Sequence, residues 1–237
     1  MANLTGKKAL VLGGSRGIGA AIVTRLAAEG ADTHFTYAGS VDAANSLAAA
    51  TGTQASRVDN SDRDSLSAFI AAQGPLDILV ISAGTLVMGD PLELDADQVD
   101  RMIDINVRAP YHAAVAAARQ MPEGGRIIVI GSVNGDRMPM AGAAAYALTK
   151  SAVQGMVRGL ARDLGARGIT VNNVQPGPVD TEMNPAEGPF AELMHSFMAI
   201  KRHGRGDEIA AFVAFLAGPE AGYITGAQHS IDGGFGA

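Results

Sequence analysis

A glycine-rich joint between two apolar runs constrains this chain more than any other feature. Residues 8–14 read KALVLGG and residues 17–31 read GIGAAIVTRLAAEGA. The first, apolar from Ala9 to Leu12, is a buried strand; the second is apolar at helical spacing and stops at Gly30. Between them Gly13, Gly17 and Gly19 fall in a G-x-x-x-G-x-G pattern. A strand that turns sharply into a helix needs backbone free of Cβ atoms, and the new helix offers unpaired N–H groups at its start. Those groups, with the helix dipole, suit a phosphate. The glycines alone are a weak motif; their place after the first strand and before an amphipathic helix gives them weight, against the plainer reading of a flexible turn.

The alternation continues to the end of the chain. Strands are expected at 32–37, 54–60, 76–84, 125–132, 169–177 and 227–234. Helices are expected at 42–52, 63–74, 96–121, 143–165 and 207–217. Strands apolar almost throughout, such as LDILVISAG (76–84), belong to a parallel sheet covered on both faces. The expected fold is therefore α/β, a Rossmann-type doubly wound sheet of about seven parallel strands, as one domain over 1–237. In such sheets ligands bind beyond the carboxyl ends of the strands. The informative positions are then Gly13–Gly19, Thr36–Ser40, Asp59, Ser82–Gly84, Ser132 and Pro176–Thr181.

Composition excludes several classes. A net charge of −6 argues against a nucleic-acid partner. The chain has no cysteine, so disulfides and thiolate metal sites are out. The five histidines, at 34, 112, 195, 203 and 229, show no metal spacing, and no metal is expected. No uncharged apolar run reaches the length of a membrane span. The first apolar run meets Gly13 and Gly14 too early for a signal peptide, so a cytoplasmic protein is expected.

The strand exit after residue 37 bears on which nucleotide fits. An acidic residue there would accept hydrogen bonds from the ribose of NAD. The chain has Thr36, Tyr37, Ala38, Gly39 and Ser40, with no carboxylate to repel a 2′-phosphate. Arg16, inside the glycine loop, can pair with one, its plain reading being a solvated loop charge. NADP(H) is favoured over NAD(H). Asp59, with Asn60 beside it, lies where an adenine amino group would be read, and a simple turn residue is the other reading.

The chemistry centres on AAAYALTK (143–150). Positions four apart share a helix face, so Tyr146 and Lys150 can address one site. A phenol is too weak an acid to serve as an efficient base at neutral pH, and a nearby cation favours its ionised form. Ser132, fourteen positions before Tyr146 and after a strand, can polarise a carbonyl. A Ser–His–Asp hydrolase is disfavoured because no G-x-S-x-G elbow surrounds Ser132.

GGSRGIG, SAG (82–84), Asn106, Ser132, YALTK, NVQPGPVDT (173–181) and IDGG (231–234) together span almost the whole chain. As a set they resemble the short-chain dehydrogenase/reductase family, most of all its ketoreductase-type members that act on acyl-carrier-protein substrates. The resemblance implies an NADP(H)-dependent enzyme that reduces a carbonyl or oxidises a secondary alcohol. Tyr146 would be the general acid/base. Lys150 would favour the phenolate and hold the nicotinamide ribose. Ser132 would hydrogen-bond the substrate oxygen, and Asn106 would support Lys150 through a water. Cofactor contacts would come from Gly13, Ser15, Arg16, Gly17, Ile18 and Gly19. Tyr37, Ser40, Asp59, Asn60, Ala83 and Gly84 would add to these, with Tyr146 and Lys150. Pro176, Gly177, Val179 and Thr181 would complete the set, Val179 and Thr181 at the carboxamide and phosphate ends.

Two positions depart from the family pattern: Leu12 stands where Thr is usual, and Ser82 where Asn is usual. The shorter Ser82 puts local rigidity in question. MPEGGRIIVIGSVNGDRMPMAG and MAIKRHG are similar to bacterial family members that bind cyclic-di-GMP and act in biofilm dispersal. That likeness supplies a second reading, a cyclic dinucleotide sensor on the same fold. The segment 182–204 should form a substrate lid, with Met183, Phe190, Met194, Phe197 and Met198 making an apolar slot and Lys201, Arg202 and His203 a basic edge. Its methionines, with those of RMPM, suit an adaptable wall or plain core packing. Alanine-rich helices 96–121 and 143–165, and the family, suggest a homotetramer, with a dimer as the alternative.

Overall fold

The computed structural model describes residues 3–237. The elements run β1 (Lys8–Leu12), α1 (Gly17–Ala28), β2 (Asp32–Tyr37), α2 (Val41–Thr51), β3 (Gln54–Arg57), α3 (Arg63–Ala72) and β4 (Ile78–Ile81). After these come α4 (Ala96–Ile103), α5 (Ala109–Ala118), β5 (Arg126–Ile130), α6 (Ala144–Leu164), β6 (Thr170–Pro176), α7 (Ala191–Ser196), α8 (Gly206–Ala217) and β7 (Gln228–Ile231). All seven strands are parallel, in the order β3-β2-β1-β4-β5-β6-β7. This is the expected Rossmann-type doubly wound sheet. The chain reverses its winding between β1 and β4, and the crevice opens there.

The sheet separates two cores. On one face Ile22, Val23 and Leu26 of α1 pack with Ile209, Val213 and Leu216 of α8 over Val11, Val80 and Val174. On the other, Leu66 and Ile70 of α3, Ala113 and Ala117 of α5 and Val153 and Val157 of α6 cover Leu10, Leu79 and Ile127. Every residue of β4, β5 and β6 is buried; β4 (ILVI) and β5 after Arg126 are unbroken apolar runs, while β6 buries Thr170, Asn172, Asn173 and Gln175 among its apolar residues. The alanines of α5 let that helix pack closely on α3 and the sheet.

Two expectations need correction. The helix expected over 96–121 is divided: α4 ends at Ile103, a π turn covers Asp104–Arg108, and α5 follows. Pro110, in the first turn of α5, has no N–H to give the carbonyl of Asn106 four residues back, so an unbroken α-helical ladder cannot run through. The segment 182–204 is not all loop either, since α7 forms within it. Among the described residues no helix is long and apolar enough to cross a membrane.

Candidate active site

The glycine loop owes its shape to close approaches. Gly13 has φ 79° and a Cβ there would lie 2.7 Å from Ala83 Cα; a Cβ on Gly19 would lie 2.0 Å from Gly13 O. Only glycine fits either place. Gly13 N donates to Thr36 Oγ1 at 3.2 Å and Gly14 N to Thr36 O at 2.9 Å, so β2 holds the loop from beside it. Leu12 is buried in β1, and Ser82 N donates to Leu12 O at 2.9 Å, so the main chain makes the β1–β4 tie at both unusual positions. Helices α3 and α4 start under aspartate caps, with Asp62 accepting from Ser65 N and Asp95 from Asp97 N. By contrast α1 has no side-chain cap and no acidic residue in its first turn. Its free amides face the crevice, where they suit an anion.

A cavity of about 590 Å³ fills that crevice. Of the residues read from sequence, Gly13, Ser15, Arg16, Gly17, Ile18, Gly19, Tyr37, Ser40, Asp59, Asn60, Ala83, Gly84, Tyr146, Lys150 and Thr181 line it. Pro176 is buried at the end of β6; Gly177 packs on Asp232, and Val179 is buried beside Gly204. None of these three lines the cavity.

Tyr146 and Lys150 stand on one face of α6. Lys150 Nζ lies 5.6 Å from the centroid of the Tyr146 ring and donates to Ile130 O at 3.2 Å. Lys150 is 7% exposed, so the last carbonyl of β5 fixes an almost fully buried cation beside the phenol. Asn106, in the π turn, is buried. Its Oδ1 accepts from Thr85 N at 2.9 Å, and its Nδ2 donates to Thr85 O at 2.8 Å and Thr149 Oγ1 at 3.1 Å. The side chain is thus committed to clamping the exit of β4 to α6.

Ser132, two residues past β5, is buried and does not line the cavity, with Oγ accepting from Asn134 N at 3.1 Å. Its turn is pinned from two sides. Gln175 Nε2 of β6 donates to Ser132 O at 3.2 Å and to Asp136 Oδ2 at 2.8 Å. From α6, Gln154 Nε2 donates to Asp136 Oδ1 at 2.8 Å and Ser151 Oγ to Gly135 O at 2.6 Å. Sequence reasoning missed Gln175, Asp136 and Gln154 as the residues that set Ser132 against α6.

It also missed Arg101, Ile105 and Glu182 on the cavity wall, where Thr36, named among the strand exits, and Met183, named in segment 182–204, also stand. Arg101, on α4, reaches Asp59 at 3.3 Å. Backbone N–H and hydroxyl of Ser61, then Arg101, hold the Asp59 carboxyl below its ordinary value, so it stays an acceptor at neutral pH. Arg16 Nη1 meets Glu182 Oε2 at 2.5 Å across the mouth.

The segment 182–204, expected as a lid, departs from the expected slot with a basic edge. Arg202 is bound by both oxygens of Glu208, at 2.9 and 2.7 Å; Lys201 Nζ donates to Ser196 O; His203 is buried. The cations are used to anchor the lid's base. The two Arg202 contacts and Arg205 N hold Glu208 at about 2. His203 Nδ1 and His195 Nε2 lie 2.8 Å apart, and burial lowers the His203 pKa below its ordinary value. Met194 and Met198 pack on Val133 and Phe235, while Met183, Phe190 and Leu193 stay exposed.

Comparison with known proteins adds to this geometry. Residues 13–236 match the family profile described as enoyl-(acyl carrier protein) reductase. The chain is 63% identical over 237 residues to the cyclic-di-GMP-binding biofilm dispersal mediator protein of Escherichia coli K12, covering 100% of both. It is 36% identical to the 3-oxoacyl-[acyl-carrier-protein] reductase MabA of Mycobacterium bovis, covering 97% of this chain and 93% of that one. The crystal structure of BdcA in complex with NADPH superposes with a TM-score of 0.97 at 64% identity, covering 98% of this chain and 96% of that one.

Proposed function

The chain belongs to the short-chain dehydrogenase/reductase family, and from that premise we propose that its crevice binds NADP(H) and that Tyr146 moves the proton of a carbonyl–alcohol interconversion. The observation that carries the reading is the buried Lys150 cation 5.6 Å from the Tyr146 ring, on the wall of the cavity that also receives the uncapped start of α1.

The residues fit the cofactor. The amides of α1 suit the pyrophosphate and Arg16 the 2′-phosphate, and no carboxylate stands at the exit of β2 from Thr36 to Ser40. Asp59 suits the adenine amino group, and Lys150 the ribose beside the reacting ring. When bound, the nicotinamide supplies or accepts the hydride. In reduction the Tyr146 hydroxyl gives its proton to the carbonyl oxygen, and Lys150 stabilises the phenolate left behind. Ser132 Oγ already accepts from Asn134 N, so its own hydrogen is free to donate to the substrate oxygen. Oxidation of an alcohol reverses each step.

A panel of ketones, aldehydes and secondary alcohols, followed by NADPH absorbance, tests this reading. Turnover of at least one member is expected, and no turnover on any would count against it.

The dispersal mediator at 63% identity supports a second reading, in which a cyclic dinucleotide binds here. The lid cations are committed to Glu208, Ser196 O and the lid's own packing, which leaves α1 with Arg16 as the stronger anion site. Under this reading the ligand shares the crevice. Titration of labelled cyclic-di-GMP with and without saturating NADPH should show competition, and undiminished binding would rule out the shared crevice. We also propose a homotetramer. Leu148 of α6 is 58% exposed and Tyr111 of α5 48% exposed, apolar surface that a second copy would cover. Light scattering that returns a tetramer is expected; a monomer or a dimer would overturn it.

A further inference from the structure

We propose that Glu182 sets how strongly the crevice prefers the phosphorylated dinucleotide, by competing with the 2′-phosphate for Arg16. The proposal rests on the NADP(H) reading and adds a residue that opposes it.

Three cations line the cavity among the described residues, and one of them, Lys150, is committed inside it, buried on Ile130 O, while Arg101 makes an exposed pair with Asp59. Arg16 is the cation at the glycine loop, and its Nη1 is held by Glu182 Oε2 at 2.5 Å from the far wall.

The position of Glu182 is built. Its neighbour Thr181 packs against the glycine loop, where a Cβ on Gly17 would lie 3.2 Å from Thr181 Cγ2. Thr181 and Asn184 close a tight turn by mutual main-chain hydrogen bonds, at 3.3 and 3.0 Å, and Asp180 N donates to Gly204 O at 2.9 Å. The backbone therefore carries this carboxylate to the mouth of the crevice, opposite the guanidinium.

Both partners are more than half exposed, at 56% and 67%. An ion pair in that setting is weak, and a phosphate dianion displaces a carboxylate from guanidinium readily. The exchange still costs the phosphorylated cofactor part of its advantage. The unphosphorylated one makes no such demand on Arg16, and feels Glu182 only as one more negative charge near its pyrophosphate. Removal of the Glu182 charge should therefore tighten NADPH more than NADH.

Dissociation constants of NADPH and NADH, measured by calorimetry on wild type, Glu182→Gln, Arg16→Ala and the double variant, test this. Thermal unfolding of each variant checks that it folds. In Glu182→Gln, NADPH should bind about two- to five-fold tighter, the range of an exposed pair, and NADH by clearly less. In the Arg16→Ala background the same change should leave the NADPH/NADH ratio where Arg16→Ala put it. An unchanged ratio in Glu182→Gln overturns the proposal, as does an equal shift with and without Arg16. If Arg16→Ala alone leaves the ratio untouched, the assignment of the 2′-phosphate to Arg16 fails instead, and the competition with it.

Discussion

The two sides of the crevice are built on different principles. The dinucleotide side is made of strand exits and one glycine loop, where main-chain atoms of β1, β2 and β4 fix one another within hydrogen-bond distance. The side formed by segment 182–204 is a tight turn, the short helix α7 and a base held by Arg202 and Glu208, with Met194 and Met198 packed on Val133 and Phe235 in a small buried cluster. The first tolerates almost no added atoms. The second is held by methionine and phenylalanine packing, which can rearrange. The pyrophosphate is common to NAD(H) and NADP(H) while carbonyl substrates differ in shape, so rigid backbone suits the one and adaptable side chains the other.

The largest effect should come from Tyr146→Phe, which keeps the ring and removes the proton. Turnover should fall at least about a hundredfold while the NADPH dissociation constant holds, as read by steady-state kinetics beside calorimetry. Loss of both together would mean that the phenol serves binding and not chemistry.

Gly19→Ala attacks the rigid side alone. Its Cβ would come within 2.0 Å of Gly13 O, so the loop must shift. We expect NADPH affinity to drop more than about tenfold, since the amides facing the phosphates move with it. Normal affinity would show that the loop has slack and would weaken the contrast.

Met198→Ala attacks the other side. Met198 is 3% exposed and sits in the small cluster under the lid. A loss of about 2 kcal/mol is expected in denaturant unfolding, with KM for the carbonyl raised and NADPH affinity kept. A matching fall in NADPH affinity would join the two sides into one unit.

The smallest effect concerns pH. Burial, the first cause in each case, holds His34, His203 and His229 below the ordinary 6.5. Below that pH the unfolded chain takes up protons that the folded chain refuses, so stability falls as pH drops. Melting temperature should decline by a few degrees between about pH 7 and pH 5.5. A flat or rising profile would contradict the burial of these rings.

The same contrast explains what could be read from sequence. Backbone constraint writes itself as glycine spacing, and a shared helix face as Y-x-x-x-K, so Gly13, Gly19, Tyr146 and Lys150 were legible. Long-range partners leave no local trace. Glu182 meets Arg16 across 166 positions, Gln175 meets Ser132 across 43, and Arg101 meets Asp59 across 42. Thr36 was legible as a strand-exit position, and its hydroxyl on Gly13 N shows what it does there. Lys201, Arg202 and His203 misled because charge in a sequence says nothing of its partner, and Glu208 lies on the next helix. The π turn was signalled only by Pro110, in the middle of an otherwise helical stretch.

The crevice passes a hydride between NADP(H) and a carbonyl. NADPH deuterated at both C4 positions, incubated with the protein and the carbonyl panel, tests it by mass spectrometry of the alcohols formed. Deuterium on the carbinol carbon of at least one product, appearing at least about a hundredfold more slowly with Tyr146→Phe, is the expected result. NADPH that binds but passes deuterium to no carbonyl would contradict it.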